Sequence, residues 1–298
     1  MSRLEDYTEE EFLEVKEEML ERLTESKTVE EVKRGYILGG QSGAGKTTLH
    51  RIFKRELEDN CIIINGDEFR PYHPRYRELK EEYGEDAVTK LSKFSGQMVE
   101  ELVDELSEEG YNLIIEGTLR TSEVPLKTAK KLKENGYEVD LGLIAVKPQI
   151  SYLSTIDRYE KMLDKGVNTR ITPKDHHDKI VNSLASNVDE IYKTKEFSNI
   201  RIYDREENCL YNQNETPEIN PADIMDKVLT GKYSEKEFNH LLDIMEEIIY
   251  LKSKRHADDT EKYKDKAKEI IGIYKMQKME LEKDKNIKKS IDNETLER

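Results

Sequence analysis

The sequence predicts an α/β fold: a doubly wound parallel sheet flanked by helices, with a helical extension at the C-terminus. Three observations lead there. Short apolar blocks without polar alternation recur along the chain at residues 36–38, 61–64, 113–115 and 141–146. Uninterrupted apolar strands are the mark of a sheet covered on both faces. The stretches between them, 48–57, 86–106 and 125–135, carry helical periodicity, and strands alternating with helices build parallel sheets. The first block also runs directly into a glycine-rich turn followed by a helical pattern.

In chain order, Thr8-x-x-Glu11 is a capping-box pattern opening an amphipathic helix over 8–24, with Phe12, Val15, Met19 and Leu23 on one side. The four strand blocks and their helices follow, and Ile200-Arg201-Ile202-Tyr203 is a fifth block that can close the sheet. Residues 151–195 form a polar, helical insertion broken at Gly166-Val167-Asn168 and again at Pro173, which reads as a cover. Residues 211–221 are rich in Asn and Pro and read as a loop. Phe238, Leu241, Leu242, Met245, Ile248 and Ile249 mark another amphipathic helix, after which apolar residues thin into a charged, solvated helix or tail. The expected organisation is therefore a packed N-terminal helix at 1–34, an α/β sheet domain at 35–230 and a charged helical extension at 231–298.

With 298 residues there is ample material for a core. The formal charge is −15, with 49 Lys+Arg against 64 Asp+Glu. Residues 252–298 carry 14 Lys+Arg and 11 Asp+Glu, a net +3, which leaves −18 on the remainder. That acidity argues against a nucleic-acid binder, whose affinity comes mainly from cations on phosphates. No stretch reaches the roughly 20 apolar residues of a membrane helix, and the N-terminus is acidic where a signal peptide is basic. The chain reads as cytoplasmic. Two cysteines, Cys61 and Cys209, are too few for a disulfide scaffold or cysteine zinc site.

The chemistry concentrates at the carboxyl ends of the strands. Gly40-Gln41-Ser42-Gly43-Ala44-Gly45-Lys46-Thr47, followed by Thr48, fits G-x-x-x-x-G-K-[ST] between a strand and a helix. Such a loop turns backbone N–H groups onto phosphate oxygens, with Lys46 bridging the β- and γ-phosphates of ATP and the Thr47 hydroxyl ligating Mg²⁺. The loop alone does not separate a nucleotide hydrolase from a kinase. With the strand-end carboxylates that follow, the fold expected is of the P-loop kinase type. No guanine-reading Asn-Lys-x-Asp and no transporter signature accompanies the loop. The second strand instead ends in Asn65-Gly66-Asp67-Glu68, which places Asp67 to accept a proton from an attacking alcohol. The third ends in Glu116-Gly117-Thr118-Leu119-Arg120, where Glu116 stands near the metal position and Thr118 and Arg120 can grip an anionic acceptor. Arg158 and Arg170 flank the Gly166 break, where an arginine can neutralise charge on a transferred phosphoryl group. His73, set between Pro71 and Pro74, lines the acceptor pocket or braces a loop. His176-His177-Asp178 lacks a third ligand at a familiar spacing for a metal site.

Taken together these stretches resemble the zeta toxin family, above all its chromosomal PezT-type members. The likeness rests on residues 38–48, on Asp67-Glu68-Phe69-Arg70 with His73-Pro74, on residues 111–121, on Ser151-Tyr152-Leu153-Ser154-Thr155 and on Thr172-Pro173-Lys174. It runs from about residue 4 to about 230. The resemblance implies a kinase that uses ATP to phosphorylate the 3′-hydroxyl of the aminosugar in UDP-N-acetylglucosamine. Such an enzyme blocks bacterial cell-wall synthesis and is held in check by a small helical antitoxin covering the ATP site. It implies Lys46 and Thr47 as phosphate and Mg²⁺ residues and Asp67 as the base. Glu116, Thr118 and Arg120, with Glu100, become sugar-nucleotide contacts, and Arg158 and Arg170 contact the ATP phosphates. The interval from Arg158 to Arg170 is one residue shorter than the family pattern, and residues 232–298 have no counterpart in it. Two other readings share the motifs: a small-molecule kinase acting on an antibiotic or a nucleotide, and a partner-binding module with a vestigial site.

Overall fold

The computed structural model describes residues 3–167 and 171–296, with side chains as far as Met279. Six strands, β1 (Arg34–Gly39), β2 (Ile62–Ile64), β3 (Leu113–Glu116), β4 (Glu138–Ile144), β5 (Asn199–Tyr203) and β6 (Cys209–Asn212), form one sheet in the order β2-β3-β1-β4-β5-β6. The pairings from β2 to β5 are parallel, and β6 runs antiparallel to β5 at the edge. The helices are α1 (Glu9–Thr24), α2 (Thr47–Glu56), α3 (Gly66–Phe69), α4 (Tyr76–Tyr83), α5 (Ala87–Glu109), α6 (Glu123–Glu134), α7 (Pro148–Asp164), α8 (Lys174–Thr194), α9 (Pro221–Thr230), α10 (Glu235–Lys254) and α11 (Thr260–Leu296).

The expected α/β architecture is the one observed. All five apolar blocks fall in strands, and β1, β3 and β4 carry continuous buried apolar runs because they lie in the interior of the sheet, with Arg34, Glu116 and Glu138 at strand ends and Asp140 paired with Arg201. The sixth strand corrects the reading of residues 211–221 as loop. Tyr211 and Asn212 pair with β5, and an edge strand paired on one side with partly exposed residues gives no continuous apolar run to detect.

The chain divides into two compact units, residues 1–152 with 170–229 and residues 153–169 with 230–298. In the first, Phe12 and Met19 of α1 join the sheet residues in one core. The capping box is complete: Thr8 Oγ1 accepts from Glu11 N at 3.2 Å, and Thr8 N donates to the Glu11 carboxylate at 2.8 Å. His73 is buried, with Nδ1 accepting from Arg75 N at 3.1 Å and Nε2 at 3.3 Å from the Glu5 carbonyl. Both ring nitrogens therefore hold backbone, and the histidine braces its loop.

The second unit corrects the solvated tail. Tyr263 and Ile270 of α11 are buried, and Tyr274 stacks on Phe238 of α10 with centroids 3.6 Å apart. Lys252, only 3% exposed, lies 2.8 Å from Glu160, itself 1% exposed, and 2.8 Å from Asp259. Arg255 adds a contact to Glu160 at 2.7 Å. Charges this deeply buried persist only in company. Although burial would raise the Glu160 carboxyl, its bonds to Arg255 and Lys252 outweigh that and hold it below the usual range. A depressed carboxylate stabilises the fold above its unfolded pKa, about 4.3, and that contribution fades as pH falls through the folded value. Glu160→Gln is accordingly expected to cost about 3 kcal/mol at pH 7 and progressively less below pH ~4, as read from denaturant midpoints across pH.

Candidate active site

β1 delivers the chain into a loop whose backbone requires glycine. Gly40 has φ +152°, and a Cβ there would lie 2.5 Å from Ile144 Cγ2. Gly43 and Gly45 sit at φ 75° and 93°, in the left-handed region that glycine enters without steric cost. The loop closes by Ala44 N to Gln41 O at 3.1 Å, and α2 starts at Thr47 with neither an acidic residue in its first turn nor a side-chain cap. Thr48 N and Leu49 N donate to Gly45 O and Lys46 O at 2.9 Å each, and the positive end of the helix dipole faces the loop. Lys46 Nζ donates to Gly40 O at 3.2 Å and stands 3.6 Å from Glu116 Oε1.

Sheet register explains why Glu116 is there. Leu38 of β1 is paired with Glu116 of β3, and Gly117 N donates to Leu38 O at 2.9 Å. The β3 turn thus begins beside the phosphate loop, at the crevice where an open α/β sheet binds ligands. His50 Nε2 approaches Glu116 Oε2 at 3.0 Å, off hydrogen-bond alignment. Burial alone would raise the Glu116 carboxyl, but His50 and Lys46 outweigh it and keep the pKa below its ordinary value. At neutral pH this is a carboxylate.

Next to it opens a cavity of about 270 Å³. Glu116, Thr118, Arg120, Thr121, Thr128 and His176 supply its polar lining, with Val99 and Val124 among the apolar wall. Leu119 adopts φ 56°, unusual for a branched side chain. It is held there by burial of its side chain and by Asn187 Nδ2 donating to its carbonyl at 2.8 Å. The turn from Glu116 to Arg120 is thus fixed in a shape that brings Thr118 and Arg120 to one cavity.

Asp67 lies three residues past Ile64, whose partner in β3 is Ile115, on the same sheet edge as Glu116. It sits not in the strand end itself but in α3, whose Asn65 cap accepts from Asp67 N at 3.1 Å. The Asp67 carboxylate pairs with Arg70 and is 66% exposed. Glu100 is on α5, 69% exposed and paired with Lys127 at 3.1 Å, and it does not line the cavity. Arg158 is on α7, in the second unit. Arg170 lies outside the described residues. Thr47 opens α2 with an exposed side chain, whereas Thr48 is buried and turned to Arg205 O at 3.3 Å.

His176 reaches the cavity, His177 is fully buried, and no cluster of three metal-type ligands occurs among the described residues.

Arg205 was not anticipated from the sequence. Its Nε donates to Ala44 O at 3.0 Å, and its Nη2 donates to Gly43 O, so a guanidinium ties the outer side of the phosphate loop. Burial lowers its pKa, yet arginine stays charged in proteins. The signal was available: Arg205 is the second residue after β5, at the same carboxyl edge as the other site residues. Arg205→Lys keeps the charge and loses the fork. It is expected to weaken ATP binding about tenfold, the loss of one charge-assisted hydrogen bond, as measured by equilibrium titration.

Comparison with known proteins adds the family context. The zeta toxin family model matches residues 16–216. Toxin PezT of Streptococcus pneumoniae serotype 4 is 48% identical over 235 residues, which is 78% of this chain and 92% of that protein. Toxin zeta of Streptococcus pyogenes is 39% identical over 252 residues, 84% of this chain and 88% of that one. Among solved structures, that of the PezAT chromosomal toxin-antitoxin system of Streptococcus pneumoniae superposes with a TM-score of 0.78 at 43% identity, covering 84% of this chain and 99% of its counterpart. The AvrRxo1-ORF1:-ORF2 complex with ATP shares the fold, with a TM-score of 0.51 at 14% identity over 88% and 92% of the two chains.

Proposed function

This chain belongs to the zeta toxin family, and from that membership and the geometry of its phosphate loop we propose that it is an ATP-dependent kinase. Its acceptor is the 3′-hydroxyl of the aminosugar in UDP-N-acetylglucosamine, and its action is that of a toxin on bacterial cell-wall synthesis in the cytoplasm. The observation that carries the reading is the pairing of Leu38 with Glu116. It joins the phosphate loop to a cavity whose Thr118, Arg120 and Thr128 offer hydroxyl groups and a cation. A nucleoside diphosphate sugar needs such a lining: a cation for its phosphates and hydrogen-bonding groups for its sugar.

In this reading Lys46 and the first turn of α2 bind the β- and γ-phosphates. The oxygen donors at hand, the Thr47 hydroxyl and the Glu116 carboxylate, suit Mg²⁺, which takes few protein ligands beside the phosphates. Bound there, the ion would neutralise charge on the transferred group. Asp67 takes the proton of the acceptor hydroxyl as that oxygen bonds to the γ-phosphorus, and the bond to the bridging oxygen breaks to release ADP. Arg158 and Arg170 are assigned to the ATP phosphates, and Glu100 to a secondary contact with the sugar nucleotide. A small helical antitoxin covering the ATP site is the proposed partner, supported by the toxin-antitoxin system of the solved relative.

An acceptor screen separates this proposal from the other kinase readings. Purified chain is incubated with Mg-ATP and, in parallel, UDP-N-acetylglucosamine, nucleoside monophosphates and aminoglycosides, and products are read by mass. A phosphorylated UDP-N-acetylglucosamine is the expected product. Exclusive phosphorylation of an antibiotic or a nucleotide would replace the assignment.

A further inference from the structure

The inner side of the phosphate loop is held by a line of completely buried polar side chains. Gln41 is 0% exposed, and its Nε2 donates to Val146 O at 2.8 Å and to Ser151 Oγ at 3.2 Å. Ser151, in the first turn of α7, is equally buried, and its Oγ stands 2.9 Å from His177 Nε2 and 3.0 Å from Pro148 O. His177, also 0% exposed, occupies the first turn of α8, with Nδ1 3.2 Å from Asp178 Oδ1 and its ring 5.4 Å from that of Tyr152.

Burying three polar side chains is costly unless they satisfy one another. Here the line is bonded from Gln41 Nε2 through Ser151 to His177, with Gln41 Oε1 alone of its polar atoms buried without a hydrogen-bond partner. Such a bonded line restricts its members to few arrangements. The polarity here is self-consistent. The single Ser151 proton has two acceptors in reach, Pro148 O and His177 Nε2. Given to a neutral His177 whose Nδ1 donates to Asp178, it leaves the Ser151 oxygen to accept from Gln41. Burial is the main influence lowering the imidazole pKa. The Asp178 carboxylate opposes it, while Lys174 and His176 assist it, so the neutral form is favoured. The helix that carries His177 also holds the acceptor side: Asn187 donates to Leu119 O, and Ser183 Oγ donates to Arg120 O at 3.3 Å.

We propose that His177 and Ser151 are positioning residues for ATP binding. Acting through the Gln41 carboxamide, they set the shape of the phosphate loop, so that α8 braces the donor loop from one end and the acceptor turn from the other. The proposal rests on the kinase reading and assigns to the family loop a support that lies more than 100 residues away in sequence.

The test is a titration of the full chain with a fluorescent ATP analogue, which needs no knowledge of the acceptor. Ser151→Ala and His177→Leu are each expected to raise Kd about tenfold, and the double variant no further than either single one, because both cut the same line. His177→Gln, whose carboxamide oxygen can accept the Ser151 proton, is expected to recover binding to within about threefold of the unaltered chain. Asn187→Ala, on the acceptor end of α8, should leave Kd within about twofold. Unchanged binding in Ser151→Ala, additive losses in the double variant, or an equal loss in Asn187→Ala would overturn the proposal. Ser151→Ala adds no bulk and decides the matter alone if the His177 variants do not fold. Failure of the unaltered chain to bind the analogue would count against the kinase reading instead.

Discussion

Asp67→Asn is expected to lower the rate of phosphoryl transfer by roughly 10²–10⁴-fold while changing ATP affinity by less than about threefold. The substitution keeps the shape and the Asn65 cap, which engages the Asp67 backbone N–H and not its carboxylate. What it removes is the basic carboxylate proposed to take the alcohol proton, since an amide oxygen accepts hydrogen bonds but is too weak a base to take a proton. Asp67 is 66% exposed and paired with Arg70, whose side chain is 20% exposed. The amide oxygen of the substituted asparagine can still accept from that guanidinium, so the loss of stability should stay within about 1 kcal/mol. A group that acts as the bond forms lowers kcat and kcat/KM together. Steady-state rates combined with an ATP titration read this directly. An equal fall in ATP affinity would give Asp67 a binding role and leave the base unassigned.

Lys46→Met is expected to reduce kcat by roughly 10²–10³-fold, the usual loss when one donor is removed from a site of developing negative charge, and to weaken ATP binding as well. Here ground state and transition state both suffer, because the β- and γ-phosphates carry charge throughout. The ammonium contacts the Gly40 carbonyl and Glu116, so its removal leaves Glu116 beside His50 alone. Glu116 Oε2 is 3.0 Å from that ring, and the carboxyl pKa should rise toward its ordinary value in the variant. Combining Lys46→Met with Glu116→Gln should then cost less than the sum of the two single changes. A Lys46 variant with unaltered ATP affinity would show that the loop does not use this side chain on phosphate.

The sheet was legible because its central strands are apolar on both faces, and the phosphate loop because the requirement for glycine at positions 40, 43 and 45 writes itself into the sequence. The Glu116 to Arg120 group was also legible, since a parallel strand end points to the ligand edge whichever strand it is. What escaped has a common physical cause. Arg205 stood at the marked carboxyl edge, two residues past β5, but nothing local gave its target on the phosphate loop. His50, Ser151 and His177 reach the site by tertiary packing, from helices whose residue spacing carries no mark of where their side chains arrive. β6 escaped because an edge strand needs only one partner. The burial of Tyr263 and Ile270 escaped because a sparse apolar stripe among many charges looks like a solvated helix until α10 is seen to cover it. Lys252 and Glu160 lie 92 positions apart, and nothing local in either stretch announces a buried ion pair.

The account depends most on the claim that ATP held by the phosphate loop gives its terminal phosphoryl group to an alcohol in the adjoining cavity. The most direct measurement follows ADP, inorganic phosphate and phosphorylated sugar nucleotide together in one reaction of the purified chain with Mg-ATP and UDP-N-acetylglucosamine. ADP and phosphorylated UDP-N-acetylglucosamine rising in equal amounts, with little inorganic phosphate, is the predicted result. ADP matched by inorganic phosphate with no modified sugar nucleotide, or no turnover by a chain that binds ATP, would contradict it.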